Sequence, residues 1–385
     1  MIKDMALYKK VIKVIGKKRF FYLVRRNFLF WFSRKTDYPF APADALQVNF
    51  TFNCNLRCTM CSMHERMLDF KAQGRPYELE IPTIKKMIKE SSQMGVRSLI
   101  LIGGEPFLEP RLFELISFAK ECCFDGITVV TNGTLFTERN IQQMFESGLD
   151  NLSISIDSAS EEGIARIRGA GVMEKIIRGI NLLNEMKEKQ KRHNPNIVSV
   201  CTIMNQNLEE ITDVVGLCRR LKIARIIFQP VVADNTDQRS LDFNSEVFVP
   251  ENRLDILDQT IEGLIKYKIQ NRNNFDFIAN NIYHLGLMKK YFRRKLKPRV
   301  FPCYAGYNRI QLTQDGKLYF CVNQEKSEAT LGDVTKESLR QLWFSAKAKF
   351  FRSLIRKCKF PCLQWCAYRD DFIELSDTFR KAELF

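Results

Sequence analysis

The sequence predicts an α/β fold: a partial (β/α)6, TIM-like barrel followed by a small cysteine-rich C-terminal domain. Three observations carry this. Between residues 46 and 232, six short β-rich runs alternate with amphipathic helical stretches, the order that builds a parallel sheet. Six such units match a partial barrel better than a closed eight-fold one. The twelve cysteines are also unevenly placed, with three at 54–61 and five between 303 and 366.

Residues 1–45 form a basic, aromatic extension ending in YPFAPA. Residues 46–52 (LQVNFTF) read as a strand running directly into the first cysteine loop. A helix follows over 81–95, then a buried strand over 96–104 that ends at a glycine turn. The alternation continues with a helix over 111–123, a strand over 126–133, a helix near 137–147 and a strand over 149–157. Helices over 172–190 and 208–221 then precede strands over 197–205 and 224–232, completing a barrel unit over 46–235. Residues 236–300 lack strand character and read as a helical connector with one amphipathic helix at about 251–268. Residues 301–385 are turn-rich (Asp315-Gly316, Gly332-Asp333). They are too few for a large core, so a metal centre would supply much of their stability.

At 385 residues, 45% hydrophobic and 27% charged, the chain reads as globular. No short apolar stretch precedes a small-residue cleavage site, so a cytoplasmic location is expected. The apolar run Phe20 to Phe32 is broken by Arg25, Arg26 and Asn27 and is shorter than the roughly 20 residues of a spanning helix. Cysteines in such a chain suit metal binding or catalysis better than disulfides. His64, His193 and His284 do not cluster, which argues against histidine-built zinc or Ser–His chemistry.

The net charge of +16 is localised. Residues 1–35 carry eleven Lys or Arg against one acid, residues 289–299 carry seven against none, and the remainder is close to neutral. Such patches suit nucleic acid, anionic lipid or a phosphorylated substrate. No RNA-binding module is recognisable, so nucleic acid is not expected. The stretch KKRFFYLVRRNFLFWFSRK interleaves cations with aromatics. It could lie peripherally on an anionic membrane at its inner face, within reach of a lipid-linked substrate. Its aromatics could equally pack against the barrel.

The loop FNCNLRCTMC places Cys54, Cys58 and Cys61 within eight residues. A 4Fe–4S cluster takes one thiolate per iron, so three cysteines leave one iron open to a chelating ligand. Zinc is the alternative, with His64 as a fourth ligand. Gly103-Gly104-Glu105-Pro106 follows at the end of the second strand. A CxxxCxxC loop after the first strand and a GGEP turn after the second resemble the radical S-adenosylmethionine superfamily. The resemblance implies a cluster on Cys54, Cys58 and Cys61 that binds and reductively cleaves S-adenosylmethionine to a 5′-deoxyadenosyl radical. An electron donor such as flavodoxin or ferredoxin is implied as well.

The same resemblance implies that Gly103, Gly104, Glu105 and Pro106 present backbone groups and an acid to the cofactor's ammonium. Polar cofactor contacts are implied at Asn132, at Ser155 for the ribose, and at Asn205. By alternation Ser153, Ser155 and Asp157 share one face of their strand. Met60 stands where the family often has an aromatic residue against adenine, and a thioether can cover that ring.

Cys303, Gly316 and Cys321 in a C-x12-G-x4-C arrangement, then LGDV (331–334), Leu342-Trp343 and Cys358, Cys362 and Cys366, resemble SPASM and twitch domains. The implication is one auxiliary 4Fe–4S cluster with one thiol spare, Cys362 and Cys366 being favoured among the late cysteines. A zinc-ribbon-like site is the alternative. The expected reaction is oxidation or epimerisation of a sugar- or aminocyclitol-like or lipid-linked small molecule, with peptide or protein maturation as the alternative. Cys201, on the fifth strand, is either a hydrogen donor to a substrate radical or a buried structural cysteine. A zinc-stabilised binding protein is the reading from another class.

Overall fold

The computed structural model describes residues 16–232, 245–271, 277–321 and 330–364. The six expected strands form in order: β1 (Ala45–Asn49), β2 (Ser98–Ile102), β3 (Gly126–Thr131), β4 (Asn151–Ser155), β5 (Asn196–Ile203) and β6 (Arg225–Pro230). Each pairs parallel with its sequence neighbour. The helices up to β6 are α1 (Lys17–Thr36), α2 (Met63–Ala72), α3 (Ile81–Gln93), α4 (Leu112–Glu121), α5 (Glu138–Ser147), α6 (Glu161–Arg168), α7 (Val172–Lys189) and α8 (Ile211–Arg220). Beyond it come α9 (Leu254–Gln270), α10 (Ile282–Phe292), β7 (Arg309–Leu312), β8 (Lys317–Tyr319), β9 (Gly332–Asp333), α11 (Leu339–Trp343) and α12 (Ala346–Arg356).

Register separates the two faces of this sheet. Gln47 lies beside Ile100 and Gln311, Ser153 beside Val130 and Val198, Ser155 beside Val200, and Thr202 beside Gln229. These residues share one face, which carries most of the sheet's polar side chains. The alternate residues, among them Leu46, Leu99, Ile127, Leu152 and Ile154, are fully buried in the main core with the helices. Period-two alternation thus gives the sheet an apolar back and a hydrogen-bonding front. The helices follow the same logic: α3 buries Ile81, Ile84, Met87, Ile88 and Ser91 along one stripe.

Three differences from the sequence reading matter. First, the strands beyond residue 301 continue the barrel sheet. β7 pairs parallel with β1, and β8 and β9 follow antiparallel, giving one sheet in the order β6-β5-β4-β3-β2-β1-β7-β8-β9. Left uncovered, that side of β1 would expose unpaired N–H and C=O groups. Second, the connector seals the opposite edge. Ile226 N–H donates to Phe277 O and Ala279 N–H to Ile226 O, while the Asn280 amide bonds both Phe228 N–H and Phe228 O at 2.7 Å.

Third, α2, α6, α10, α11 and α12 were not foreseen. Helix α6 does carry its signals: Ser160 caps it through Gly163 N–H, with Glu161 and Glu162 in the first turn and Arg166 and Arg168 in the last. Only eight residues long, it is easily read as loop.

Helix α1 docks through Phe20, Leu23, Asn27, Phe30 and Ser33. Phe30 packs with Ala41, Tyr304 and Tyr307 in a small second core. Asp37, in the left-handed region at the helix end, accepts from Tyr307 Oη and pairs with Arg356 at 2.8 Å. One face of the aromatic extension therefore packs on the protein, joining it to the cysteine-rich region. Among the described residues, no helix is long and apolar enough to cross a membrane.

Candidate active site

The chain leaves β1 and enters the cysteine loop beside the C-terminal ends of the parallel strands, where parallel α/β sheets bind ligands. A cavity of about 650 Å³ opens there, lined by Cys54, Cys58, Cys61, His64, Gly104 and Leu108 among others. That volume lies within the roughly 300–1,000 Å³ of small-molecule sites.

Backbone bonds pin the loop from several sides. Gly104 N–H donates to Thr51 O and Glu105 N–H to Asn53 O, both at 2.7 Å, and Thr59 N–H reaches Ile167 O at 2.9 Å. The two glycines are required by this approach. A β-carbon on Gly104 would lie 2.1 Å from Asn53 O, and one on Gly103 would lie 2.6 Å from Thr51 O. Asn132 Nδ2 donates to Asn55 Oδ1 at 2.8 Å and lies 4.0 Å from Cys54 Sγ, while Asn55 Nδ2 donates to Thr134 Oγ1. The TNG turn after β3 thus braces the first cysteine.

The Glu105 side chain already has partners within the protein. Its carboxylate is fully buried and accepts from Thr131 Oγ1, Asn132 N–H and Phe107 N–H at 2.7–3.1 Å. Burial pushes its carboxyl up, opposed by those donors. It fastens the turn to β3. Pro106 is likewise buried, opening a single 3-10 turn.

Sequence reasoning missed Arg168. At the end of α6, its buried guanidinium donates to Asp157 Oδ2 at 2.7 Å and approaches Cys58 Sγ to 3.7 Å. Asp157 is held in turn by Thr202 N–H at 2.8 Å. The signal was available as Asp157 on the polar face, but its cationic partner lies eleven residues on in an unforeseen helix.

Burial pushes the Cys58 thiol up to about 11, with Arg168 pulling it down and Cys61 and Cys54 pushing it up. Cys54 is raised by burial too, opposed by the Leu56 N–H. Three neighbouring thiols whose thiolates would repel one another, with N–H donors aimed at two of the sulfurs, form a donor set that suits a polycationic metal cluster. Among the described residues no three Cys, His, Asp or Glu side chains already converge at chelating distance.

Ser155 stands half-buried on the polar face, as alternation predicts. Asn205 is engaged elsewhere. Its Oδ1 accepts from Arg253 Nη1 at 2.6 Å and its Nδ2 donates to Glu246 O, tying the end of β5 to the connector. Met60, expected against adenine, packs on the main core and does not line the cavity. Cys201 is fully buried on the helix-facing side of β5 near Cys218, whose thiol burial pushes up to about 12. That position suits the structural one of its two expected roles.

In the C-terminal region Cys303 and Cys321 are half-buried against the main core, flanking the hairpin that turns at Gly316 (φ 74°). Phe360 N–H donates to Cys358 Sγ and Gln364 N–H to Cys362 Sγ, at 3.4 and 3.3 Å. Such amide–sulfur bonds suit metal-bound thiolates. Cys366 lies outside the described residues.

The radical SAM superfamily matches residues 48–218, and the SPASM iron–sulfur cluster-binding domain matches 303–368. The GTP 3′,8-cyclase of Aquifex aeolicus is 26% identical over 316 residues, covering 80% of this chain and 91% of the cyclase. Among solved structures, Streptococcus suis SuiB bound to S-adenosylmethionine aligns with a TM-score of 0.64 and 15% identity over 86% of this chain and 75% of SuiB. The native anSMEcpe structure with bound S-adenosylmethionine aligns with a TM-score of 0.60 and 17% identity over 88% of this chain and 96% of that one. These structural likenesses establish the fold.

Proposed function

Because the chain belongs to the radical S-adenosylmethionine superfamily and carries a SPASM domain, we propose that it abstracts hydrogen from a substrate C–H bond. The single observation carrying this reading is the three-cysteine loop lining an open cavity beside the GGEP turn. Cys54, Cys58 and Cys61 would hold the cleaving cluster. With a bound cluster and an electron from a donor such as flavodoxin or ferredoxin, the cofactor supplies a 5′-deoxyadenosyl radical.

The chain's own residues orient and shield. Gly103 and Gly104 let the turn lie against the loop, Asn132 braces Cys54, and Arg168 places a cation beside Cys58. Ser155 would meet the ribose from the polar face of β4. Cys303 and Cys321, with two of Cys358, Cys362 and Cys366, would hold one auxiliary 4Fe–4S cluster. Residues 46–235 would act as the radical-generating barrel, 236–300 as connector and 301–385 as the auxiliary-cluster domain, behind the extension 1–45.

For the substrate we favour a sugar- or aminocyclitol-like or lipid-linked small molecule that is oxidised or epimerised in the cytoplasm. Support comes from the hydrogen-bonding front of the sheet, where Gln47, Ser153, Ser155, Thr202 and Gln229 share one face. Polyhydroxylated molecules need many such partners. A peptide is the second reading, since SuiB, which shares the fold, has been solved with the precursor peptide SuiA.

Iron and sulfide analysis after anaerobic purification tests the two-cluster reading. About eight irons per chain are expected, four for each cluster. A colourless protein carrying zinc would refute it.

A further inference from the structure

The outward face of α1 is built unlike a solvated helix surface. Phe21, Val24, Phe28, Trp31 and Phe32 recur at intervals of three, four, three and one residues, forming one stripe on the helix. All are exposed, Phe21 at 56%, Phe28 at 58% and Trp31 at 49%. The stripe is continuous as a ring surface. Phe28 stacks on Phe32 at 6.2 Å between centroids, Phe32 meets Phe40 at 4.9 Å, and Phe40 meets the exposed Tyr38 at 5.0 Å. Exposed large apolar patches of this kind mark an interaction surface.

The charge around the stripe selects the partner. Lys17 and Lys35 stand at its two ends, Lys18 and Arg25 flank it, and all four are exposed. Residues 16–36 contain no Asp or Glu, and the Asp37 that follows is buried on Tyr307 and Arg356. The opposite face of the helix is already docked on the protein, so the stripe is not waiting to fold inward. A second copy is a poor fit, because an isologous contact would bring each cation against its like. Spanning a bilayer is excluded for this helix by its charge and composition.

We propose that this face of α1 seats the enzyme on an anionic lipid bilayer. The rings enter the headgroup boundary and the four cations meet lipid phosphates. This inference concerns the docking surface alone and is independent of the radical chemistry, which uses other residues. Membrane seating would make a lipid-linked form of the proposed substrate the accessible one.

Co-sedimentation of the full-length, cluster-loaded protein with vesicles tests it. Binding to equimolar phosphatidylcholine–phosphatidylglycerol vesicles should exceed binding to pure phosphatidylcholine by about tenfold or more and weaken with added salt. The double variant Phe28→Ser/Trp31→Ser and the triple variant Lys17→Gln/Lys18→Gln/Lys35→Gln should each lose about tenfold on anionic vesicles. Both should keep wild-type iron content, because the substitutions lie on an exposed surface. Wild-type protein remaining in the supernatant with both vesicle types would overturn the proposal. So would variants that sediment like the wild type, or a vesicle-free dimer that Phe28→Ser/Trp31→Ser dissolves.

Discussion

Gly104 and Glu105 hold the turn after β2 in place beside the cavity that Gly104 lines. The glycine lets β2's exit lie against the cysteine loop, and the carboxylate fastens that exit to β3. A methyl group at position 104 must push on Asn53 O, an overpacking cost of about 1–3 kcal/mol. Gly104→Ala should therefore lower both the melting temperature and the iron retained. Gly286→Ala, in α10 with nothing within 4 Å of the added carbon, should leave iron content unchanged. Glu105→Gln should destabilise by about 1–3 kcal/mol, since a buried donor loses its acceptor. Thermal melts alongside titration calorimetry with S-adenosylmethionine would separate the roles. A fall in cofactor affinity at unchanged stability would mean the carboxylate faces the ligand after all. Arg168→Met leaves Asp157 buried and unpaired, at about 3–5 kcal/mol. The pair Asp157→Asn/Arg168→Met should recover much of that stability. It should still show a more negative cluster midpoint in an EPR-monitored redox titration, because a cation beside Cys58 is gone.

At the scale of elements, β1 to β6 were legible because alternation and βα order are local in sequence. The cysteine loop and the GGEP turn were legible because the resemblance rests on contiguous residues. What stayed hidden was non-local. β7 reads as part of a cysteine-rich tail until its register against β1 is seen. Asn280 reads as connector until both its amide groups are found on Phe228 at the edge of β6. Arg168 gains its meaning only through Asp157 and Cys58. The sealed edge also predicts a pH dependence. His284, packed beside Asn280, is held neutral by burial, its pKa lowered to about 4, with a backbone hydrogen bond to Leu363 opposing the shift. Its unfolded form takes a proton near 6.5, so the stabilisation is complete above that pH and is lost as pH falls toward 4. The loss reaches up to about 3 kcal/mol. Melting temperatures of wild type and His284→Gln across that window should converge as pH falls; parallel curves would show that His284 does not set the slope.

For the molecule as a whole, one sheet joins the cysteine loop to the cysteine-rich region, and α1 is tied to the latter. Asp37 reaches Arg356, and Arg34 donates to the carbonyl of Cys303 at 3.1 Å. The proposed radical site, auxiliary site and membrane face therefore belong to one packed body. Radical generation is assigned to the centre that Cys54, Cys58 and Cys61 would hold. Anaerobic incubation of the reconstituted protein with S-adenosylmethionine and a reductant, followed by chromatography for 5′-deoxyadenosine, tests this most directly. Steady formation of 5′-deoxyadenosine is expected, disappearing in Cys58→Ala. Iron-replete protein that forms none, or a Cys58→Ala variant that forms as much as the wild type, would contradict it.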